Sequence, residues 1–514
     1  MRKLVKIISV LFALAVLTAL CTSCINGLNF MKPDTSVKTD ATKNFEWSTE
    51  DGVLFISGHG DMPKFGLNEG APWHEEREKI TSVKIEKGIT SISDCSFYRF
   101  TNLKEISIPD TVKSIGYEAF GECLSLDSIA LPESIEYIGA NAFAGCIELT
   151  AISIPEKISY IGVSAFNENP WYEDFYDNCA DGVVYINNVA YAVKGDRTEQ
   201  NITLKDGTVS IMPYCFSRCT SLKSIDIPES VSYIGEGAFA QCRSLAMVTI
   251  PDGVEAINDM TFKYCTQLYS VSIPDSVELI GDSAFDGCSA LTSFTLPSNL
   301  KGIGKSAFRY CDSISVSVSI PGSTEYIDNY AFYGCMFLTD VTIADGVKVI
   351  GDWAFASCSS LENINVPSSV TSIGNSAFSD CGSLTEIQIP GATSIGERVF
   401  FRCEKLRKVV LPEYVNNYKA DFSGCSSLEE VILPLNTKVD YDTYNKCSKL
   451  KKALIPKGLT YIGDSAFEGC DSLTDVYYTG TADEWKNISI NGNSKTVLDS
   501  VTIHFNASVE MFRE

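Results

Sequence analysis

The sequence predicts a β-rich repeat solenoid, and three regularities carry that expectation: an apolar string returns about every 23 residues, prolines gather at one position of it, and cysteines gather at another. From Leu103 the string reads Leu103-x-x-Ile106-x-Ile108-Pro109-x-x-Val112-x-x-Ile115-Gly116-x-x-Ala119-Phe120-x-x-Cys123, and the next copy begins at Leu126. Sixteen copies start at residues 80, 103, 126, 149, 199, 222, 245, 268, 291, 314, 338, 361, 384, 406, 428 and 450. Thirteen of the 18 prolines take the Pro109 position, phenylalanine fills the Phe120 position in 15 of the 16 copies, and cysteine fills the Cys123 position in 14. A single copy cannot bury its own apolar face, so successive copies must cover one another.

Each part of a copy has its own physical reason. Ile106-x-Ile108 alternates with period two and is β-branched, as a short strand requires. Pro109 ends it, because proline has no N–H for a ladder and a fixed φ. Val112-x-x-Ile115-Gly116 is expected as a second extended piece, closed by a glycine free to take φ > 0. Ala119-Phe120-x-x-Cys123, with its three-to-four spacing, is expected as a single turn pressed inward. With one short strand per coil and parallel strands about 4.8 Å apart, sixteen coils give a sheet on the order of 75 Å along its arc.

The ends of the chain read differently. Arg2, Lys3 and Lys6 precede an apolar run from Ile7 to Leu20, too short for a permanent membrane span, so residues 1–23 are expected to be a signal peptide. Cys24 follows this run as the lipid-bearing cysteine of a bacterial lipoprotein does, with Cys21 in place of the usual leucine; the alternative is simple secretion. Residues 24–46 are expected as a flexible tether, 47–79 as an N-terminal β-rich cap, 80–472 as the sixteen repeats interrupted by an insertion at 172–198, and 473–507 as a C-terminal cap.

The repeat unit resembles the BspA-like leucine-rich-repeat family of bacterial cell-surface proteins over residues 80–472. Trp47-x-x-x-Asp51-Gly52-x-Leu54-x-Ile56-x-Gly58 with Ala71-Pro72-Trp73 is similar to that family's entry segment, and Val476-Tyr477-Tyr478-x-Gly480 through Trp485 to Phe505 to its exit segment. The resemblance implies a right-handed leucine-rich-repeat solenoid with a parallel sheet, and adhesion or host-matrix binding as its work.

Composition narrows the function. Across 514 residues, 41 basic and 65 acidic side chains leave a net charge of −24, which disfavours nucleic-acid binding. Three histidines, all in the caps, and the lack of any G-x-S-x-G or H-E-x-x-H string point to no catalytic site, no metal and no cofactor. Gly304-Lys305-Ser306 is the Ile-Gly corner of a repeat rather than a phosphate loop, since Asn299 stands where the leading glycine belongs. The fourteen ladder cysteines are expected as small buried hydrophobes with free thiols, because side chains of stacked positions run parallel instead of facing each other.

Two places are candidates for partner contact. The insertion carries Tyr172, Tyr176, Tyr185 and Tyr191 after Trp171, and Val183–Tyr191 reads as a hairpin with an Asn-Asn turn; it either projects toward a partner or folds onto the solenoid as a spacer. The outward strand position runs Ser107, Ala130, Ser153, Thr203 through Gln388 and then turns apolar at Val410, Ile432, Leu454 and Tyr477. That strip is either a contact site or buried by the cap. The expectation is an extracellular, monomeric protein-binding scaffold that contacts proteins of a host or neighbouring cell through its sheet face and touches membrane only through a lipid anchor. The alternative is glycan recognition by the aromatic insertion and the Ser/Thr-rich face.

Overall fold

Three rows of main-chain hydrogen bonds run through the coils, and most neighbours are tied by at least two of them. The computed structural model describes residues 45–508 and 511, apart from 68, 69, 413, 417, 420, 435 and 436. Trp47–Glu514 forms one compact unit. The expected signal peptide, Cys24 and all of the tether before residue 45 lie outside the described residues.

The first row is the expected sheet. Short strands such as Ser128–Ala130 and Ala151–Ser153 pair in parallel with equivalent residues opposite one another. The second row is formed by two-residue strands at the Ile-Gly corner, Ser114–Ile115 on Tyr137–Ile138 and that on Tyr160–Ile161. The third row runs through the turns: the N–H groups of Glu118, Phe120 and Glu122 donate to the carbonyls of Ala140, Ala142 and Ala144 in the next coil. Two left-handed residues per coil shape these turns, Glu118 (φ 48°) and Glu122 (φ 57°) here, Met260 and Tyr264 or Trp353 and Ser357 elsewhere. Few of them are glycine, so the inter-coil bonds offset the cost of left-handed backbone.

This corrects the reason given for the Ile-Gly glycine, which does not take positive φ. A Cβ on Gly139 would lie 2.6 Å from the carbonyl carbon of Gly116. On Gly374 it would lie 2.4 Å from the amide nitrogen of Asp352. Glycine is required because two coils approach closely at the corner, not because of its backbone freedom.

Inside, side chains repeat as regularly as the backbone. Phe239, Phe262 and Phe285 stack at 5.4 Å between ring centroids, and Phe332 lies parallel to Phe355 at 5.3 Å. The cysteines are more than small hydrophobes. In 13 of the 14 repeat positions the thiol donates to the carbonyl of the aromatic residue one coil back, as Cys265 Sγ does to Phe239 O at 3.1 Å. Each such carbonyl is buried and would otherwise lack a donor on that side. Burial also pushes the thiols up, Cys146 and Cys403 to about 12.

The caps continue these rows. At the entry, Trp73 is fully buried, donates from Nε1 to Ser96 O at 2.9 Å and heads the aromatic stack against Phe97. Helix α1, Pro170–Asn178, opens the insertion, capped by Asn169, whose side chain accepts from Tyr172 N. Neither this helix nor its cap was expected from the sequence. The hairpin follows, Gly182–Ile186 against Val189–Lys194, turning at Asn187 with φ 51°. At the exit, α2 (Ala482–Lys486) begins with a capping box between Thr481 and Glu484, and α3 (Gly492–Leu498) brings Ser494 Oγ to accept the N–H of Phe467 at 3.2 Å. Thr502–His504 adds the last strand to the first row.

One coil departs from the expected strand. The copy that starts at 291 has only an isolated bridge, Ser293 to Ser270, in the first row. Phe294 stands at its inward isoleucine position and stacks on Phe308 at 4.8 Å, a bulk that the regular strand does not accommodate.

Candidate interaction surface

The outward position of the first row faces solvent for most of its length: Ser107, Ala130, Ser153, Thr203, Asp226, Thr249, Ser272, Thr295, Thr342, Asn365 and Gln388 are all exposed. The apolar continuation is not uniform. Val410 is 37% exposed, Ile432 is half-buried, Leu454 is 2% exposed and Tyr477 is half-buried. Leu454 lies in register between Ile432 and Tyr477, so the expected exposure fails at that residue. The accessible strip is Val410 and Ile432, with the Tyr477 ring beyond.

The cap reshapes the far end. The His504 ring stacks on Tyr477 at 4.5 Å, and its Nε2 lies 2.7 Å from Asp475 Oδ1. That contact holds the Asp475 carboxyl below the usual carboxylate range. Lys452 Nζ sits 5.8 Å from the Tyr477 ring centroid on the other side. Along the strip, Glu386, Lys408, Glu430, Lys452 and Asp475 follow one another in register, and Arg407 pairs with Glu429 at 3.2 Å. Opposite charges on neighbouring strands avoid repulsion in a parallel stack.

The aromatic side chains of the insertion turn toward one another and toward the solenoid. Trp171 stacks on Phe175 at 5.5 Å and meets Phe166 edge-on at 5.1 Å. Tyr172 contacts Tyr176 and Tyr191 at 5.8 and 5.5 Å. Tyr176 Oη donates to Val193 O at 3.4 Å, and Lys194 Nζ binds the carbonyls of Tyr176, Asp177 and Cys179 at the end of α1. Tyr185 Oη accepts from Lys205 N at 3.1 Å. Burial raises the Tyr172 and Tyr191 phenols. The five named residues are half-buried and occupied by partners within the chain.

One aromatic surface was missed. Tyr310, Tyr330, Tyr333 and Trp353 come together on the turn side, with Tyr310–Tyr333 at 5.5 Å, Tyr330–Tyr333 at 5.7 Å and Tyr330–Trp353 parallel at 6.2 Å. Their signal is in the sequence only when residues of the third row are laid beside each other coil by coil, because they sit at three different repeat positions. Nearby in chain order, a charge ladder is buried: Asp286 has a fully buried side chain, paired with Arg309 at 2.8 Å and Lys263 at 3.4 Å. Among the described residues no group of three or more His, Cys, Asp or Glu side chains is arranged to hold a metal ion.

A sequence profile of the BspA type leucine rich repeat region matches residues 74–192, 184–315, 315–421 and 371–497. Comparison with curated proteins gives no match. Solved structures of similar type include a leucine-rich repeat protein from Bacteroides ovatus, 24% identical over 71% of this chain and 92% of that one, with a TM-score of 0.32. Another, from Eubacterium ventriosum, is 21% identical over 83% and 93% of the two chains, with a TM-score of 0.31. A leucine rich cell surface protein from Faecalibacterium prausnitzii is 22% identical over 89% and 98%, with a TM-score of 0.23.

Proposed function

Because this chain belongs to the BspA-type leucine-rich-repeat family, we propose that it is a protein-interaction scaffold outside the cell, held at the surface through Cys24 or secreted, and that it binds proteins of a host or neighbouring cell as an adhesin does. The observation that carries this reading is the outward row of the first sheet, accessible coil after coil and ending in the apolar pair Val410 and Ile432 beside alternating charges. Apolar side chains exposed next to one another on an otherwise polar sheet are the usual mark of a contact patch. No catalytic role is assigned to the chain. Glycan recognition through the insertion is the less favoured reading, since its aromatic rings are engaged with each other and with Phe166.

Affinity capture from surface-protein extracts of host and community cells tests the proposal, with the Val410→Ser/Ile432→Ser double variant as the matched bait. The expected result is a protein retained by the parent chain and lost by the variant, while both melt at the same temperature. Equal capture by the two baits, or a variant that melts far below the parent, overturns the assignment to this strip. Radiolabelled palmitate incorporation that disappears with Cys24→Ala is the expected signature of the anchor.

A further inference from the structure

We infer that the solenoid is two cooperatively folded blocks that part at a seam between the coil starting at 149 and the coil starting at 199. All three main-chain rows stop there. Among the described residues no main-chain hydrogen bond joins residues 150–168 to any residue after 181. In the coil before, Asn141, Phe143 and Gly145 donate to the carbonyls of Val163, Ala165 and Asn167; the matching N–H groups of Ser164, Phe166 and Glu168 have no counterpart in the coil that follows.

The inner side-chain rows stop at the same place, although outside them Tyr160 still meets Tyr233 edge-on at 5.2 Å across the seam. The aromatic stack ends at Phe166, which meets Trp171, Tyr172 and Tyr191, and resumes only at Phe216 against Phe239. Asn169 replaces the ladder cysteine of its coil, and its buried Nδ2 has no partner. The continuous cluster of buried apolar side chains runs from Ala190 to Leu498 and does not include Phe166 or any earlier residue. The hairpin belongs to the second block, since Val189 and Ala190 pair with Ser210 and Ile211.

What crosses the seam is made by side chains. Ser210 Oγ donates to Ser159 O at 2.6 Å, and Asn187 Nδ2 reaches the carbonyls of Ile154 and Pro155 at 3.1 and 2.9 Å. The N–H of Ile161 finds only the thioether of Met212, a weak acceptor, at 3.1 Å. A cavity of about 180 Å³ lies in the gap, lined by Ile161, Ser164, Tyr191, Arg197, Met212 and Cys215. In a repeat array each interface between neighbours adds its own share to cooperativity, so the array separates where that share is smallest. The first block, with four coils and its cap, has the smaller core and opens first.

Hydrogen exchange followed by mass spectrometry on the full chain in rising urea tests this directly. Amides of residues 82–166 should lose protection together at lower urea, while those of 224–395 keep it at least about tenfold longer. The double variant Asn187→Gly/Ser210→Ala, in which glycine keeps the left-handed turn of the hairpin, should lower the midpoint of the first transition and leave the second unmoved. Loss of protection by both sets in one step at one urea concentration overturns the inference. So does fraying of residues 82–115 ahead of 137–166, or a variant that lowers both transitions equally.

Discussion

The coils between residues 222 and 380 and the junction between residues 149 and 217 are built from the same string, yet they are held together by different means. In the regular run, the 314 and 338 coils for instance meet through three backbone rows, a parallel phenyl stack and a thiol donated to a carbonyl. At the junction, the contacts include a serine, two carbonyls bound by one asparagine, a thioether, an edge-on pair of Tyr160 and Tyr233, and a loose aromatic cluster. The difference teaches that the repeat string specifies its own fold only when an equivalent string follows it at the right distance. Spacing, not composition, completes the ladder.

The sharpest way to break this comparison is to remove a ring from each region. Phe285→Ala, in the middle of the parallel stack, should cost about 3–5 kcal/mol in the denaturant midpoint of the segment that contains it. Phe166→Ala should cost clearly less, because Trp171, Tyr172 and Tyr191 can close over the space. Equal losses would mean that the two regions pack alike. Next in size, Gly351→Ala drives a Cβ to 2.5 Å from Asn329 N and should cost about 1–3 kcal/mol, whereas Gly382→Ala meets nothing within 4 Å and should be neutral. Thermal melts of the two variants decide whether close approach is what the corner glycine serves.

Cys311→Ala removes a buried sulfur and one of the two donors to the Phe285 carbonyl, which keeps the N–H of Cys288, an expected loss of about 1–2 kcal/mol, with Cys311→Ser recovering the second donor. A serine variant no better than alanine would assign the cysteine to packing alone. Asp259 probes electrostatics within the regular run. Its carboxylate accepts the N–H of Asp282, the contact that Asn329 and Asn375 make in later coils, but burial, aided by Asp282 and Glu236, raises it to about 6. A carboxyl whose folded value exceeds its unfolded value binds the extra proton when folded, so stability is fullest below the unfolded value near 3.8 and falls as pH rises toward 6. Asp259→Asn should therefore gain about 1 kcal/mol at pH 7, allowing for its partial exposure, and nothing at pH 3. Smallest of all, Arg407→Gln breaks an exposed pair with Glu429 and should leave the melting temperature unchanged within error.

Much of this was legible in the sequence because the period is strict. Ile106, Phe120 and Cys123 announce their interior places by recurring, and Ser107 announces its outward place by varying. What escaped was whatever the period does not encode. The left-handed residues escaped because Glu118, Tyr264 and Trp353 share no chemistry, only a place where the backbone bonds of the next coil hold them. Helix α1 carried readable signs, Asn169 before Pro170, but the count of aromatic residues drew attention to contact instead of to secondary structure. Leu454 escaped because an outward direction along a strand says nothing of how closely Ile432 and Tyr477 flank it. Of the candidate strip, Val410 is exposed and Ile432 half-buried; the turn-side cluster of Tyr310, Tyr330, Tyr333 and Trp353 needed three dimensions to assemble.

The thiol row has a consequence for how such a chain can change in length. Each sulfur serves the aromatic residue one turn behind it and in turn stands one turn ahead of the next, so in the run from Cys265 to Cys381 every link is interchangeable with its neighbour. Duplicating or excising one entire turn leaves no buried donor or acceptor unanswered. Any shorter gain or loss must be absorbed in a loop, as the copy that starts at 314 absorbs one extra residue, or it shears the register of everything downstream. Length here is granular, and recombination between copies has a natural unit.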